Sequence, residues 1–263
     1  VQTVMIFSPH ADDAAIFCGG ALARFADEGC RVVLVRVTDD RYDSVGLPVD
    51  ETVARTAAEL RDAAAILGVA EVVDLGFETD CLADTPLGAI RERAVWLLRR
   101  HRPQAVLTFD PADRFEDNRD HARVAQAVAE AFWVAAFDKH HPEHLADGLA
   151  PFAPAERWFF SRRGDDANRV VDITDHLERK VDAVCAHRTQ MRNVVNQYRL
   201  QFRAAGRPVP ALESAVDGDD VQPLLQAFVT GTARAVARHA GLPDDRFAET
   251  YRVEDLAEIE ALL

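Results

Sequence analysis

Val4-Met5-Ile6-Phe7-Ser8-Pro9-His10-Ala11-Asp12-Asp13-Ala14-Ala15-Ile16-Phe17-Cys18-Gly19-Gly20 is the stretch that decides the fold. The apolar run Val4 to Phe7, with β-branched and aromatic members, reads as a strand, and Ala14, Ile16, Phe17, Ala21, Leu22 and Phe25 recur at helical spacing beyond it. Between them His10, Asp12 and Asp13 crowd an imidazole and two carboxylates into a strand-to-helix turn. Such a turn lies at the carboxyl end of its strand, the edge of an open parallel α/β sheet where ligands bind. Adjacent carboxylates repel one another in a plain turn, and a divalent cation reverses that balance. Capping of the first helix is the competing use of His10 and Asp12, but one cap needs a single acceptor. No G-x-G-x-x-G follows the strand, and the carboxylates would repel a pyrophosphate, which disfavours dinucleotide binding.

Outward from this turn, strand-like runs at Arg31 to Thr38, Glu71 to Phe77 and Ala105 to Phe109 alternate with helical patterns at Asp50 to Leu67, Pro86 to Arg100 and Arg119 to Phe137. That alternation predicts right-handed βαβ crossovers and a mostly parallel sheet, so the fold class is α/β. The polar stretch Asp39 to Val49 reads as an active-site loop at the end of the second strand. Residues 138–154, rich in His, Pro and Gly, read as an excursion from the core, with His140, His141 and His144 on a solvated loop. Trp158 to Ser161 and Val170 to Ile173 read as short strands, and Thr174 to Arg192 and Leu225 to Ala240 as helices. Ala204 to Gln222 has little periodicity and reads as a mobile loop or lid.

The 263 residues, 48% of them hydrophobic, are expected to form one domain, with residues 1–137 as the core and 138–263 completing strands, helices and a substrate-covering loop. A net charge of −14 opposes attraction to nucleic acid or anionic lipid, and no Lys/Arg cluster with interleaved aromatics is present. Cys18, Cys30, Cys81 and Cys185 form no C-x-x-C pair and read as free thiols, Cys18 packed in the core. No apolar run approaches membrane-spanning length and no leader precedes the first strand, so the expectation is a cytoplasmic protein.

The fourth strand ends in Phe109-Asp110-Pro111, and its loop leads to Asp117-Asn118-Arg119-Asp120-His121 at the mouth of the next helix. In a parallel sheet this is the same edge as the His10 turn. His10, Asp13 and His121 then form a two-His, one-carboxylate set with an open position, the arrangement of catalytic rather than structural zinc. Asp12 is left over to act as a base.

These residues resemble the Pro-His-Pro-Asp-Asp signature of the PIG-L/LmbE-like zinc de-N-acetylases, with Ala11 in place of the second proline. The likeness continues through Arg55-x-x-x-Glu59, Asp80, Asn118-x-Asp120-His121, Val171-Asp172-Ile173-Thr174, Lys180, Ala186-His187-Arg188-Thr189-Gln190 and Phe247-x-Glu249-x-Tyr251-Arg252. The resemblance implies a Rossmann-like deacetylase acting on an N-acetylated amino sugar, with Zn2+ held by His10, Asp13 and His121 and with Asp12 as general base. It also implies catalytic roles for Asn118 and Asp120, sugar-hydroxyl contacts for Asp80, and an accompanying arginine in Arg55. Arg55 is equally explained by a surface ion pair with Glu59. Many relatives carry histidine where this chain has Asn118, and an amide cannot transfer a proton. His187 or His144 could stand in for that imidazole.

The leading expectation is therefore a zinc-dependent hydrolase that deacetylates an N-acetylglucosamine-type group of a small molecule, with homo-oligomerisation left open. A chitooligosaccharide, a thiol-cofactor precursor or a glycosylated natural product all fit as acceptor, and Trp158-Phe159-Phe160 could supply an apolar platform for the last. The alternatives are a non-catalytic metal- or sugar-binding member and an amidase that cleaves a larger amide.

Overall fold

In the computed structural model, which describes residues 1–164, 166–218, 220–256 and 260, strands and helices alternate from the start of the chain. The order is β1 (Thr3–Ser8), α1 (Asp13–Asp27), β2 (Arg31–Thr38), α2 (Val49–Leu67), β3 (Glu71–Phe77), α3 (Leu87–His101), β4 (Ala105–Phe109) and α4 (Arg119–Val134). There follow α5 (Pro142–Ala146), β5 (Glu156–Phe160), β6 (Arg169–Asp172), α6 (Leu177–Ala186), α7 (Arg188–Ala204), α8 (Pro210–Asp217), α9 (Gln222–His239) and β7 (Ala248–Glu254). Among the described residues the strands form one seven-stranded sheet in the order β3-β2-β1-β4-β5-β7-β6. β3, β2, β1, β4 and β5 are mutually parallel, whereas β7 runs antiparallel to both β5 and β6. The fold is thus α/β and mostly parallel.

Side chains alternate across the strands and enter two cores. Val4, Ile6, Val32 and Leu34 pack with α1, α2, α6, α7 and α9, and Met5, Phe7, Val33 and Val35 pack with α3 and α4. Because helices cover both faces, β1 and β2 read as continuous apolar runs rather than alternating ones. The strand order reverses between β1 and β4, so their carboxyl ends flank a crevice at the topological switch point. The first and second halves of the predicted metal set are carried into that crevice from these two strands.

Several elements differ from the sequence expectation. The helix expected over Thr174 to Arg192 is a 3-10 turn at Thr174–His176 followed by two helices that break at His187, whose ψ of 54° leaves the helical region. α6 packs on α1 and α2 while α7 turns toward α8, which one straight helix could not do. The stretch expected to be a mobile loop, Ala204 to Gln222, contains α8, started by Pro210 at its first turn and anchored by buried Ala215 and Val216. α4 stops at Val134, because the buried Arg99 guanidinium takes the carbonyls of Ala135, Phe137, His140 and His141. The same excursion carries α5 and buries His144, which was expected in solvent. β7 was read only as a closing motif, and it is the strand that joins β6 to the sheet.

Candidate metal centre

The His10 turn is held from below by the neighbouring strand. Thr38 donates both its N–H and its hydroxyl to the Pro9 carbonyl, and Asp40 Oδ1 accepts the Ala11 N–H at 3.2 Å while its other oxygen meets Arg36. The capping alternative for Asp12 does not hold: it occupies the N-cap position of α1 without a side-chain cap bond. Ser8 Oγ accepts the Ala14 N–H instead, and Asp13 Oδ2 accepts the His10 N–H.

From the other side of the crevice, α4 begins at Asn118, whose Oδ1 accepts the N–H groups of Asp120 and His121. This cap sets the direction of the His121 ring, which stacks on Phe109 at a centroid distance of 4.1 Å. His10 and His121, 111 residues apart, bring Nδ1 and Nε2 to 3.1 Å of each other. Asp13 completes the set, with one oxygen 3.3 Å from His10 Nδ1 and the other 3.3 Å from His121 Nε2. Ligands at 2.0–2.2 Å around a tetrahedral cation have neighbouring donor atoms about 3.3–3.6 Å apart. The three separations match that spacing to within a few tenths of an ångström, with Asp13 facing each imidazole through a different oxygen; all three ligand atoms lie within 4.8 Å of one another and all three residues are buried.

A second tier of carboxylates orients the imidazoles. His10 Nε2 lies 3.4 Å from Asp120 Oδ2, and Asp120 is itself fixed by the N–H groups of Asp80 and Leu82. His121 Nδ1 lies 3.0 Å from Glu116 Oε2, an ion-pair contact whose N–H is not aligned for a hydrogen bond. Glu116 also takes the Arg162 guanidinium and the Asn118 N–H. Carboxylate behind histidine is the usual support of metal-binding imidazoles.

The field matches the donor set. Burial opposes charge on His10, yet hydrogen bonds to Asp120 and Asp13 and the Asp13 charge outweigh it and raise its pKa well above 6.5. His121 is raised in the same way, burial being outweighed by Asp13 and Glu116. Burial also opposes ionisation of Asp13, but His121 and His10 hold its carboxyl far below the ordinary range. Both imidazoles therefore attract positive charge, which a divalent cation would supply. Asp12 is pushed up by burial and then by the charge of Asp13. Burial likewise raises Asp43, and it raises Asp40 to about 7.

The other sequence-derived candidates are placed less centrally. Asp80 is exposed at the end of the β3 loop with a φ of 61°, near enough to Asp43 to raise its pKa. Arg55 pairs with Glu51 on the exposed face of α2, not with Glu59, because Glu59 accepts the N–H and hydroxyl of Thr189 at 2.9 Å each. Asp120, expected in a catalytic role, sits behind His10. His144 is bound to Arg99 and Glu92 of α3 and takes no part in the centre. His141, Glu143 and His144 also bring ligand atoms within 4.8 Å, but the adjacent Arg99 guanidinium opposes a cation there. His187 is fully buried, its pKa lowered to about 4 by burial, and neither ring nitrogen has a partner among the described residues. Glu116 carried no signal in the sequence, Asp40 and Asp43 were legible only as members of the polar loop from Asp39 to Val49, and Glu59 only as part of the Arg55-x-x-x-Glu59 landmark. Gln190, legible only as part of a motif, reaches Asp12.

A family model described as GlcNAc-PI de-N-acetylase (PIG-L) matches residues 5–132. The diacetylchitobiose deacetylase of Thermococcus kodakarensis is 31% identical over 193 residues, covering 72% of this chain and 70% of that protein. The 1D-myo-inositol 2-acetamido-2-deoxy-alpha-D-glucopyranoside deacetylase of Mycobacteroides abscessus is 29% identical over 228 residues, covering 72% and 82%. In fold, the chain is similar to the N,N'-diacetylchitobiose deacetylase of Pyrococcus horikoshii, with a TM-score of 0.78 at 24% identity over 97% of this chain and 84% of that one.

Proposed function

The chain belongs to the PIG-L family, and from that membership and the converging donor set we propose that it is a metal-dependent amidohydrolase releasing acetate from an N-acetylglucosamine-type group of a small molecule. The observation that carries this reading is that His10, Asp13 and His121 converge while Asp12, beside them, ligates nothing in the set. Zinc suits two imidazoles and a carboxylate, though the same donors accept other divalent ions. Bound there, it would supply Lewis acidity, lowering the pKa of water from 15.7 toward about 7 and polarising the amide carbonyl.

The protein's own groups account for the proton traffic. Asp12 takes a proton from the attacking water as the new C–O bond forms and returns it to the departing nitrogen as the C–N bond breaks, giving acetate and a free amine. Asn118 offers only its NH2 group to a developing oxyanion, since its Oδ1 caps α4. Asp80, exposed after β3, would accept sugar hydroxyls. Asp120 and Glu116 act through the histidines. We read residues 1–263 as one catalytic domain, because β7 lies in the same sheet as β1 and Glu249 bonds directly to α1.

Metal analysis and acetate release from N-acetylglucosamine conjugates test the reading. The wild type is expected to hold one divalent ion and release acetate. Asp12→Asn should retain the ion and lose roughly 10²–10⁴-fold in turnover, whereas His121→Ala should lose both. A protein that binds no divalent ion, or variants that match the wild type, would sink the proposal.

A further inference from the structure

The break between α6 and α7 has a chemical destination. α7 starts one residue after His187, and its first turn is clamped to α2 by Thr189, whose N–H and hydroxyl both donate to the buried Glu59 carboxylate at 2.9 Å. The next residue, Gln190, is 2% exposed. Its Nε2 donates to Asp12 Oδ1 at 3.3 Å and to Asp43 Oδ2 at 3.4 Å. Both hydrogens of one amide thus bridge the β1–α1 turn and the β2–α2 loop. No other side-chain hydrogen bond reaches Asp12 among the described residues.

Asp12 needs such a partner. It is buried beside the carboxylates of Asp13, Asp40 and Asp43, and it makes no cap bond that would fix its rotation. An amide donor satisfies one carboxylate oxygen without neutralising it, and leaves the other oxygen to meet the proton of the attacking water. A lysine or arginine there would bind the carboxylate more strongly and weaken it as a base.

We propose that Gln190 is a positioning residue for Asp12, fixing the orientation of the general base from α7 while Thr189 and Glu59 fix Gln190. The inference rests on the hydrolase reading above. It assigns to the Thr189–Gln190 segment a role in turnover.

The test is kinetic. Gln190→Met preserves length and packing but removes both N–H groups. It should lower kcat for acetate release roughly ten- to hundredfold, the scale of one hydrogen bond to a charged group, with KM and metal content unchanged. In an Asp12→Asn background the same substitution should have no further effect, because a residue that acts through Asp12 cannot act without it. Glu59→Gln, which loosens the anchor without touching Gln190, should move kcat in the same direction by a smaller factor and serves if Gln190→Met folds poorly. An unchanged kcat in Gln190→Met with a shifted melting temperature would reduce Gln190 to a packing residue and overturn the proposal. So would a change in KM alone, loss of metal, or additivity with Asp12→Asn. If wild-type protein releases no acetate from any conjugate, the hydrolase reading itself fails and this assignment falls with it.

Discussion

Glu116 and Asp120 occupy equivalent places, each behind the remote nitrogen of one metal-facing histidine. Their carboxylates fix the ring and raise its basicity as a ligand, so Glu116→Gln and Asp120→Asn should each weaken metal binding about 10–100-fold, read by competition with a chelator. Asp120 also holds the N–H groups of Asp80 and Leu82, so its variant should in addition disturb the loop that presents Asp80, whereas Glu116→Gln should not. Asn118 has a different part. Its oxygen caps α4, and Asn118→Ala should cost about 1 kcal/mol of stability, a loss visible in urea unfolding and independent of any effect on turnover. The metal set was legible from residues 10–13 and 118–121 because each group is compact in sequence and sits at a strand's carboxyl end. Glu116 was not, since a single acid in a polar loop has no pattern until the fold brings its oxygen to His121. Gln190 was legible as a landmark but not as a partner of Asp12, because that contact spans 178 residues and depends on a helix break that periodicity does not mark.

At the level of elements, α1 is pinned to the rest of the molecule through its glycines. A Cβ on Gly20 would lie 2.6 Å from Ile173 Cβ and Cγ2, and one on Gly19 would lie 3.0 Å from Lys180 Cγ. Close approach lets the buried Glu249 of β7 accept the Gly20 and Ala21 N–H groups at 2.9 Å each, together with Lys180 Nζ at 2.5 Å and the Tyr251 hydroxyl at 2.7 Å. One carboxylate therefore joins α1, α6 and β7. Replacing Gly20 by Ala gains about 1 kcal/mol of helix propensity but meets overpacking of about 1–3 kcal/mol, so net destabilisation is expected in thermal melts. Glu249→Ala leaves the Lys180 ammonium buried and unpaired and should cost about 3–5 kcal/mol. The alternation of β1 to α4 was readable because each element is long and its apolar pattern agrees with its role. β7 was not, because its residues Ala248–Glu254 mix two acids, a threonine and an arginine with few apolar groups, and pairing with β5 and β6 makes them a strand. The α6–α7 break escaped for the opposite reason, since a helical period continues across His187 while the backbone does not.

For the whole molecule, a divalent ion would act as a cross-link between two halves of the sheet, since its ligands come from the ends of β1 and β4. Binding to the folded state alone stabilises it by about 4 kcal/mol when the free ion is a thousandfold above its Kd, which for a chain of this length corresponds to a rise in Tm on the order of 10 °C. The pH dependence has a definite sign. His10 and His121 have folded pKa values above 6.5, so in metal-free protein their protonated forms contribute stability that is fully present below pH 6.5 and is lost as the pH rises through the folded values. In metal-loaded protein the ion replaces those protons, and its affinity increases over the same interval because fewer protons compete. The gap in Tm between metal-loaded and chelator-treated protein should therefore widen from pH 6.5 upward and narrow in acid, where protons displace the ion from the imidazoles. Paired thermal scans across this range, with His121→Ala as control, measure it. The control should show no gap at any pH, and a gap that stays constant from pH 5 to pH 9 in the wild type would place the ion somewhere other than between His10 and His121.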